Sequence, residues 1–214
     1  MRIGIFGGTF DPPHVGHLIA AADAADTLSL DRVLFIPAAG QPLKVGAVAA
    51  TPTQRLAMTR LVVGDDRRLV VDAIEIERAG LSYTVETVSE LTRRSPGHEW
   101  YVLVGADVVQ TFARWRDPLG IMQMAGLVIL RRGDIDAATL EGWMPRDAQG
   151  RVPAYQLLAS RRVDVTSTEV RARVGAGRSI RGFVPEAVQE YIERGGLYRD
   201  GNGFEERDAQ YADQ

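Results

Sequence analysis

Two histidines, His14 and His17, stand three apart directly after Gly7-Gly8-Thr9-Phe10-Asp11-Pro12-Pro13, and they are two of only three histidines in 214 residues. At the start of a helix, side chains three apart face the same way. The helix start itself contributes N–H groups and the positive end of a dipole, so two imidazoles there make an anion site whose natural occupant is phosphate. Gly7 and Gly8 let the backbone approach a ligand closely, Thr9 adds a hydroxyl and an amide, and Pro12-Pro13 stiffens the turn. Other readings stand beside this one. The histidines could be structural, or could join Asp11 in a metal site, although no third ligand of His or Cys type lies nearby. A dinucleotide fingerprint is absent, because G-x-G-x-x-G does not occur here. Gly175-Ala176-Gly177 follows a helical segment and reads as a turn.

A second anion cradle is written near the other end. Thr166 and Glu169 have capping-box spacing, which puts Ser167 and Thr168 in a helix's first turn. Arg171 falls three after Thr168 and four after Ser167, so one face presents two hydroxyls and a guanidinium beside an open N-terminus. A simple capped surface helix is the alternative, and the presence of the first site weighs against it. Further polar candidates are Lys44 at the end of Pro37-Ala38-Ala39-Gly40-Gln41-Pro42-Leu43-Lys44, a point charge suited to phosphate or an exposed loop lysine, and Ser82-Tyr83-Thr84 at a helix start. Gly105-Ala106-Asp107 and Phe112-Ala113-Arg114-Trp115 follow; Trp115 reads either as core or as a platform for a ring.

These residues need elements to position them. Strands are predicted over Arg2–Phe6, Arg32–Pro37, Leu69–Ile74, Trp100–Val104, Gly126–Arg131 and Arg162–Val165, with helices over Gly16–Leu28, Pro52–Val63, Tyr83–Arg94, Pro118–Met124 and Pro185–Glu193. Thr51, Ser82 and Asp117 mark helix starts. Apolar strands alternating with crossover-length helices imply an α/β fold with a doubly wound, mostly parallel sheet and a small C-terminal helical part. In such sheets ligands bind beyond the carboxyl ends of strands, which singles out the segments after Phe6, Pro37, Val104 and Val165. Residues 133–160 show no clean period. The chain reads as one domain over 1–200 with a disordered, polar end over 201–214.

Composition sets the outer limits. A net charge of −3 argues against a general nucleic-acid binder, so any anion is held locally. No apolar run approaches the roughly 18 residues of a membrane helix, and a signal-peptide pattern is missing. With no cysteine there is no thiolate metal site; the cytoplasm is the expected compartment, and homo-oligomerisation stays open.

The eleven residues Gly7 to His17 resemble the H-x-G-H signature of the nucleotidyltransferase superfamily, in the form found in bacterial nicotinate-nucleotide adenylyltransferases. The stretch Thr166-Ser167-Thr168-Glu169-Val170-Arg171 is similar to that superfamily's S-S/T-x-x-I/V-R motif, and Val184-Pro185 through Leu197-Tyr198 also match, so the likeness spans nearly the whole chain. The resemblance implies a Rossmann-like nucleotidyltransferase fold and transfer of the adenylyl group of ATP to nicotinate mononucleotide, with Mg²⁺ accompanying ATP and no metal ligands on the protein. It implies that His14 and His17 bind the triphosphate and stabilise the pentavalent α-phosphate. Gly8, Thr9, Phe10, Gly105, Asp107, Ser167, Thr168 and Arg171 would complete the ATP site. Lys44, Thr84, Asp107, Trp115 and Arg132 would hold the mononucleotide, Trp115 stacking on the pyridine ring and the Thr84 region reading its carboxylate. The chain departs from the family with Leu43 where a histidine is common before the lysine, and with Arg131-Arg132-Gly133 in place of Arg-Pro-Gly, which leaves open which arginine corresponds. Two rivals remain at this stage: a pantetheine-phosphate adenylyltransferase, whose chains are typically shorter and lack Phe-x-x-Trp, and a non-catalytic nucleotide sensor.

Overall fold

Runs rich in Val, Ile and Leu become strands buried on both faces, as a sheet covered by crossover helices requires. The computed structural model describes residues 1–42, 48–131 and 136–199. Its strands are β1 (Arg2–Gly8), β2 (Arg32–Pro37), β3 (Leu69–Val71), β4 (Glu99–Gly105), β5 (Gly126–Arg131) and β6 (Tyr155–Ala159). The helices are α1 (Val15–Thr27), α2 (Pro52–Val63), α3 (Ile74–Arg78), α4 (Thr84–Arg94), α5 (Ala106–Val109), α6 (Pro118–Met124), α7 (Ala137–Trp143), α8 (Ser167–Gly175) and α9 (Glu186–Gly195). No helix among the described residues is long and apolar enough to cross a membrane.

The six strands form one sheet in the order β3-β2-β1-β4-β5-β6, with every neighbouring pair parallel. Alternate residues of each strand feed opposite cores. Phe6, Phe35, Leu103 and Val128 pack with Met58 of α2, Val170 of α8 and Val188 and Ile192 of α9. Ile5, Ile36, Val104 and Ile129 pack on the other face with Ile74, Val88, Val109, Ile121 and Leu140 of α3 to α7. Helix α1 presents Gly16, Ala20, Ala21, Ala24 and Ala25 inward, and such small side chains let its axis lie close to the sheet. The chain runs outward from β1 to β3, then returns to β1's other side with β4. The order therefore reverses between β1 and β4, where a doubly wound sheet opens its ligand crevice.

Three expectations need correction. Arg162–Val165 is not a strand; the sixth strand is Tyr155–Ala159, inside the stretch whose period was illegible. The Arg162–Val165 alternation is that of a surface connector: Arg162 pairs with Asp164 at 2.9 Å, the neighbouring Arg161 with Asp23 at 2.6 Å, and Val165 packs on the first core. Strand β3 stops at Val71 rather than Ile74, because Asp72 Oδ1 accepts the Ile74 amide at 2.9 Å and turns the chain into the unexpected short helix α3. Helix α4 starts at Thr84 with Tyr83 as its cap; Ser82 lies one residue outside and does different work. The predicted disordered end, 201–214, lies outside the described residues.

Candidate functional site

Strand β1 delivers Gly7 and Gly8 to the point where strand order reverses. A side chain at Gly8 would meet the Phe10 ring at 3.0–3.2 Å, so that position must be glycine while Phe10, with φ 51, folds back over it. The Phe10 ring is 2% exposed and lies edge-on to Phe6 at 5.9 Å and to His17 at 5.0 Å. Its ring is thus the floor of the loop, and contact with a nucleotide falls to its backbone. The Thr9 hydroxyl is buried with no hydrogen-bond partner among the described residues, a costly arrangement unless a ligand or water completes it.

His14 caps α1 and His17 sits in its first turn. The two rings lie 3.7 Å apart and 30° from parallel, so the predicted pair does share one face. The His14 backbone N–H donates to His17 Nδ1 at 3.1 Å. Since Nδ1 accepts, the neutral His17 ring carries its proton on Nε2. Gly16 between them is a steric requirement: an added Cβ would lie 3.0 Å from His14 Nδ1. One helix-start amide is spent within the protein, because Val15 N–H donates to the Phe183 carbonyl at 3.0 Å.

The second cradle docks on the first. Thr166 Oγ1 accepts the Glu169 amide at 3.0 Å, as its spacing predicted. The Ser167 hydroxyl donates to the Pro12 carbonyl at 2.8 Å, and Arg171 Nη1 donates to the Asp11 carbonyl at 2.6 Å. Arg171 Nη2 reaches Thr168 Oγ1 at 3.4 Å. Two motifs about 150 residues apart in sequence therefore meet at one place, the Ser167 hydroxyl as a tie and its amide in the helix's first turn.

Beneath the loop lies a polar network that sequence reasoning missed. Arg55, 1% exposed, donates to the carbonyls of Thr9 at 2.7 Å, Ala39 at 3.1 Å and Ala50 at 3.3 Å. Burial pushes its guanidinium below the usual arginine range, while Asp11 and Tyr198 pull it back. A signal existed: Arg55 falls on the buried face of α2 with Met58, Thr59 and Val62, where a charge needs a reason. Asp11, 2% exposed, is engaged by protein donors: its carboxylate accepts the amides of Ala49 and Ala50 and the Tyr198 hydroxyl. No cluster of three or more metal-ligating side chains occurs among the described residues.

Of the residues expected to meet the mononucleotide, Thr84, Asp107 and Trp115 lie in the described part of the chain. Ser82 Oγ accepts the Ala39 amide at 3.0 Å, and the Ser82 amide donates to the Gly40 carbonyl at 2.8 Å. Through Ala39 and Arg55 this ties the start of α4, with Thr84 at its first position, to Thr9. Tyr83 lies under the Arg116 guanidinium at 4.8 Å, and Arg116 pairs with Glu86 at 2.7 Å, drawing the Trp115 turn against α4. Trp115 is half-buried, packs edge-on to Phe112 at 5.1 Å and donates Nε1–H to Thr111 at 3.3 Å. Gly105 ends β4 and caps α5, which carries the Asp107 backbone. Arg131 ends β5, its carbonyl accepting from Ser160. Lys44 and Arg132 lie outside the described residues. Behind Ser82, the buried Glu75 accepts from Thr87 at 2.7 Å, and burial raises its carboxyl above the ordinary glutamate value.

A crevice of this kind, with stacked imidazoles, two helix starts and an arginine converging on one loop, has the donors to receive a polyphosphate and to stabilise charge that builds up on it. Residues 5–173 match the family model described as cytidylyltransferase-like. A protein of Gemmatimonas aurantiaca named "Probable nicotinate-nucleotide adenylyltransferase" is 50% identical over 94% of this chain and 93% of its own length. One of Thermus thermophilus with the same name is 42% identical over 93% of this chain and 100% of its own. Among solved structures, the Plasmodium falciparum nicotinic acid mononucleotide adenylyltransferase complexed with NaAD superposes with a TM-score of 0.74, covering 92% of this chain and 97% of that one at 16% identity, a likeness of fold.

Proposed function

Because the chain belongs to the cytidylyltransferase-like family, in its nicotinate-nucleotide adenylyltransferase branch, we propose that it joins ATP and nicotinate mononucleotide to give nicotinate adenine dinucleotide and pyrophosphate. The observation that carries the site is the docking of α8 on the Asp11-Pro12 turn through Ser167 and Arg171. It makes one cradle of two motifs.

In this reading a phosphate oxygen of the mononucleotide attacks the α-phosphorus in line. The bond from that phosphorus to the bridging oxygen of the β-phosphate breaks, and pyrophosphate leaves with the electron pair. The nucleophile is already ionised, so no general base is required, and the protein's part is positioning and charge stabilisation. His17 Nε2–H and the His14 ring donate to the oxygens of the α-phosphate. Arg171, the first-turn amides of α8 and the Thr9 hydroxyl hold the β- and γ-phosphates. Gly8, Phe10 and Gly105 line the nucleotide with backbone, and Asp107 takes a ribose hydroxyl. Lys44 and one of Arg131 and Arg132 meet the mononucleotide's phosphate side, Trp115 stacks on its ring, and amides at Thr84 read its carboxylate. A divalent cation suits this donor set as a passenger on the triphosphate: Asp11 is committed to amides and Tyr198, so Mg²⁺ would sit on phosphate oxygens and waters, where it offsets their charge.

The test is pyrophosphate release from ATP and Mg²⁺ across a panel of phosphorylated acceptors. Release with nicotinate mononucleotide, and dinucleotide product in equal amount, is the expected result. Turnover only with phosphopantetheine, or ATP binding without turnover, would point to the two rivals.

A further inference from the structure

Tyr198 follows the end of α9 with a positive φ of 62, a backbone region that non-glycine residues seldom occupy. The turn sends its ring inward, and the hydroxyl donates to Asp11 Oδ1 at 2.7 Å, with Met58 Sδ 3.9 Å away. The neighbouring Leu197 supplies the apolar anchor, being buried in the first core. The hydroxyl is therefore a separate feature, and what it touches is the carboxylate that underlies both halves of the phosphate cradle.

Asp11 is satisfied almost wholly by neutral donors. Oδ2 accepts the Ala49 amide at 2.7 Å, while Oδ1 accepts the Ala50 amide at 3.1 Å together with the Tyr198 hydroxyl. Two guanidiniums stand near. Arg55 is held by three carbonyls and cannot turn toward Asp11 without giving them up. Arg171 is different: Nη1 stands 3.9 Å from Asp11 Oδ2, at the margin of an ion pair, while it donates to the Asp11 backbone carbonyl and to Thr168.

We propose, on the premise that this site binds a nucleoside triphosphate, that Tyr198 is a positioning residue for it: the hydroxyl occupies Asp11 so that Arg171 stays beside Thr168. Without the hydroxyl, a buried carboxylate loses a charge-assisted hydrogen bond, and the cation able to replace it is Arg171. Its guanidinium then closes on Asp11 and leaves the first turn of α8, and the cradle loses its positive charge where the β- and γ-phosphates lie. Tyr198 acts through Arg171 and touches no reacting atom.

The test uses the full chain and two probes, MgATP and inorganic pyrophosphate, titrated by calorimetry. Tyr198→Phe should raise both Kd values about tenfold, the effect of one hydrogen bond to a charged group. The KM for the acceptor at saturating ATP should stay within about twofold, since its pocket lies across the crevice. In an Arg171→Lys background Tyr198→Phe should change either Kd less than twofold, because the fork that swings is gone. Asp11→Asn removes the charge that recruits Arg171, and in that background too the effect of Tyr198→Phe should vanish. A folded Tyr198→Phe protein with wild-type Kd values overturns the proposal, and so does an equal loss in all backgrounds, which marks a purely structural role. If the wild-type protein binds neither probe, the triphosphate reading itself fails, an outcome visible before any variant is made.

Discussion

An alanine at Gly16 would place its methyl carbon 3.0 Å from Nδ1 and 3.1 Å from Cε1 of His14, where carbon atoms pack best at about 3.5–4.0 Å. The backbone there does not need glycine, since Gly16 is not among the residues with positive φ. Alanine is the better helix former, by up to about 1 kcal/mol in a helix interior and less in a first turn, which offsets part of the clash. Stability should change little, by a few degrees in Tm at most. The ring of His14 is 3% exposed and stacks on His17 at 3.7 Å, so it cannot retreat by roughly 0.5 Å without moving its neighbour. A displacement of 1 Å at a catalytic group can cost about a hundredfold, so kcat for Gly16→Ala should fall roughly ten- to a hundredfold. The assay is pyrophosphate release at saturating ATP, Mg²⁺ and nicotinate mononucleotide, run beside a thermal melt. Wild-type turnover at an unchanged Tm would show that the observed placement of the two rings is not what catalysis uses, and loss of activity only through unfolding would refute the steric argument.

Other consequences can be checked with the same assay. His17→Ala should lower kcat by about 10²–10³ with the fold intact, the usual loss for one donor to developing charge; near-normal turnover would remove His17 from the mechanism. Nicotinate mononucleotide should be preferred to its amide by roughly one to two decades in kcat/KM, the worth of hydrogen bonds to a charged group, and Trp115→Ala should weaken both alike, whereas equal starting values would refute the acceptor pocket. For Glu75, burial raises the carboxyl, with the hydrogen bonds of Thr87 and Ser82 opposing. Its favourable contribution is thus present below the ordinary glutamate value and is lost as pH rises through the raised one. Glu75→Gln stays neutral throughout, so its Tm relative to wild type should climb as pH rises from about 4 and then level off; a difference independent of pH contradicts this.

How much could be read in advance varied with how local the cause was. The alternation of apolar strands and crossover helices is a local pattern, and it announced the doubly wound sheet; the capping spacing of Thr166 and Glu169 placed the start of α8. Strand β6 was hidden because it is an edge strand whose Gln156, Leu157 and Ala159 are exposed, so burial imposed no period on it, while the connector before α8 carried a strand-like alternation for reasons of surface pairing. Within the site, His14, His17 and Arg171 stood out by their types and spacing, and the structure brings them to one loop. Arg55 and Tyr198 did not: the roles of both depend on partners far along the chain, and no spacing records them. The Val15 amide, at the start of α1, serves the Phe183 carbonyl, a contact just as nonlocal.

The hydrogen bonds that join the two ends of the site span 155, 160 and 187 residues. Closing such long loops costs chain entropy before any contact rewards it, and synthesis exposes the N-terminal part first. A chain still on the ribosome can lay down β1, α1 and the paired imidazoles while their cradle has no second half, because Arg171 and Tyr198 are translated late. The nascent protein should therefore acquire phosphate affinity abruptly near the end of its synthesis, and a chain cut just before Tyr198, which keeps all six strands and helix α9, should hold nucleotide poorly.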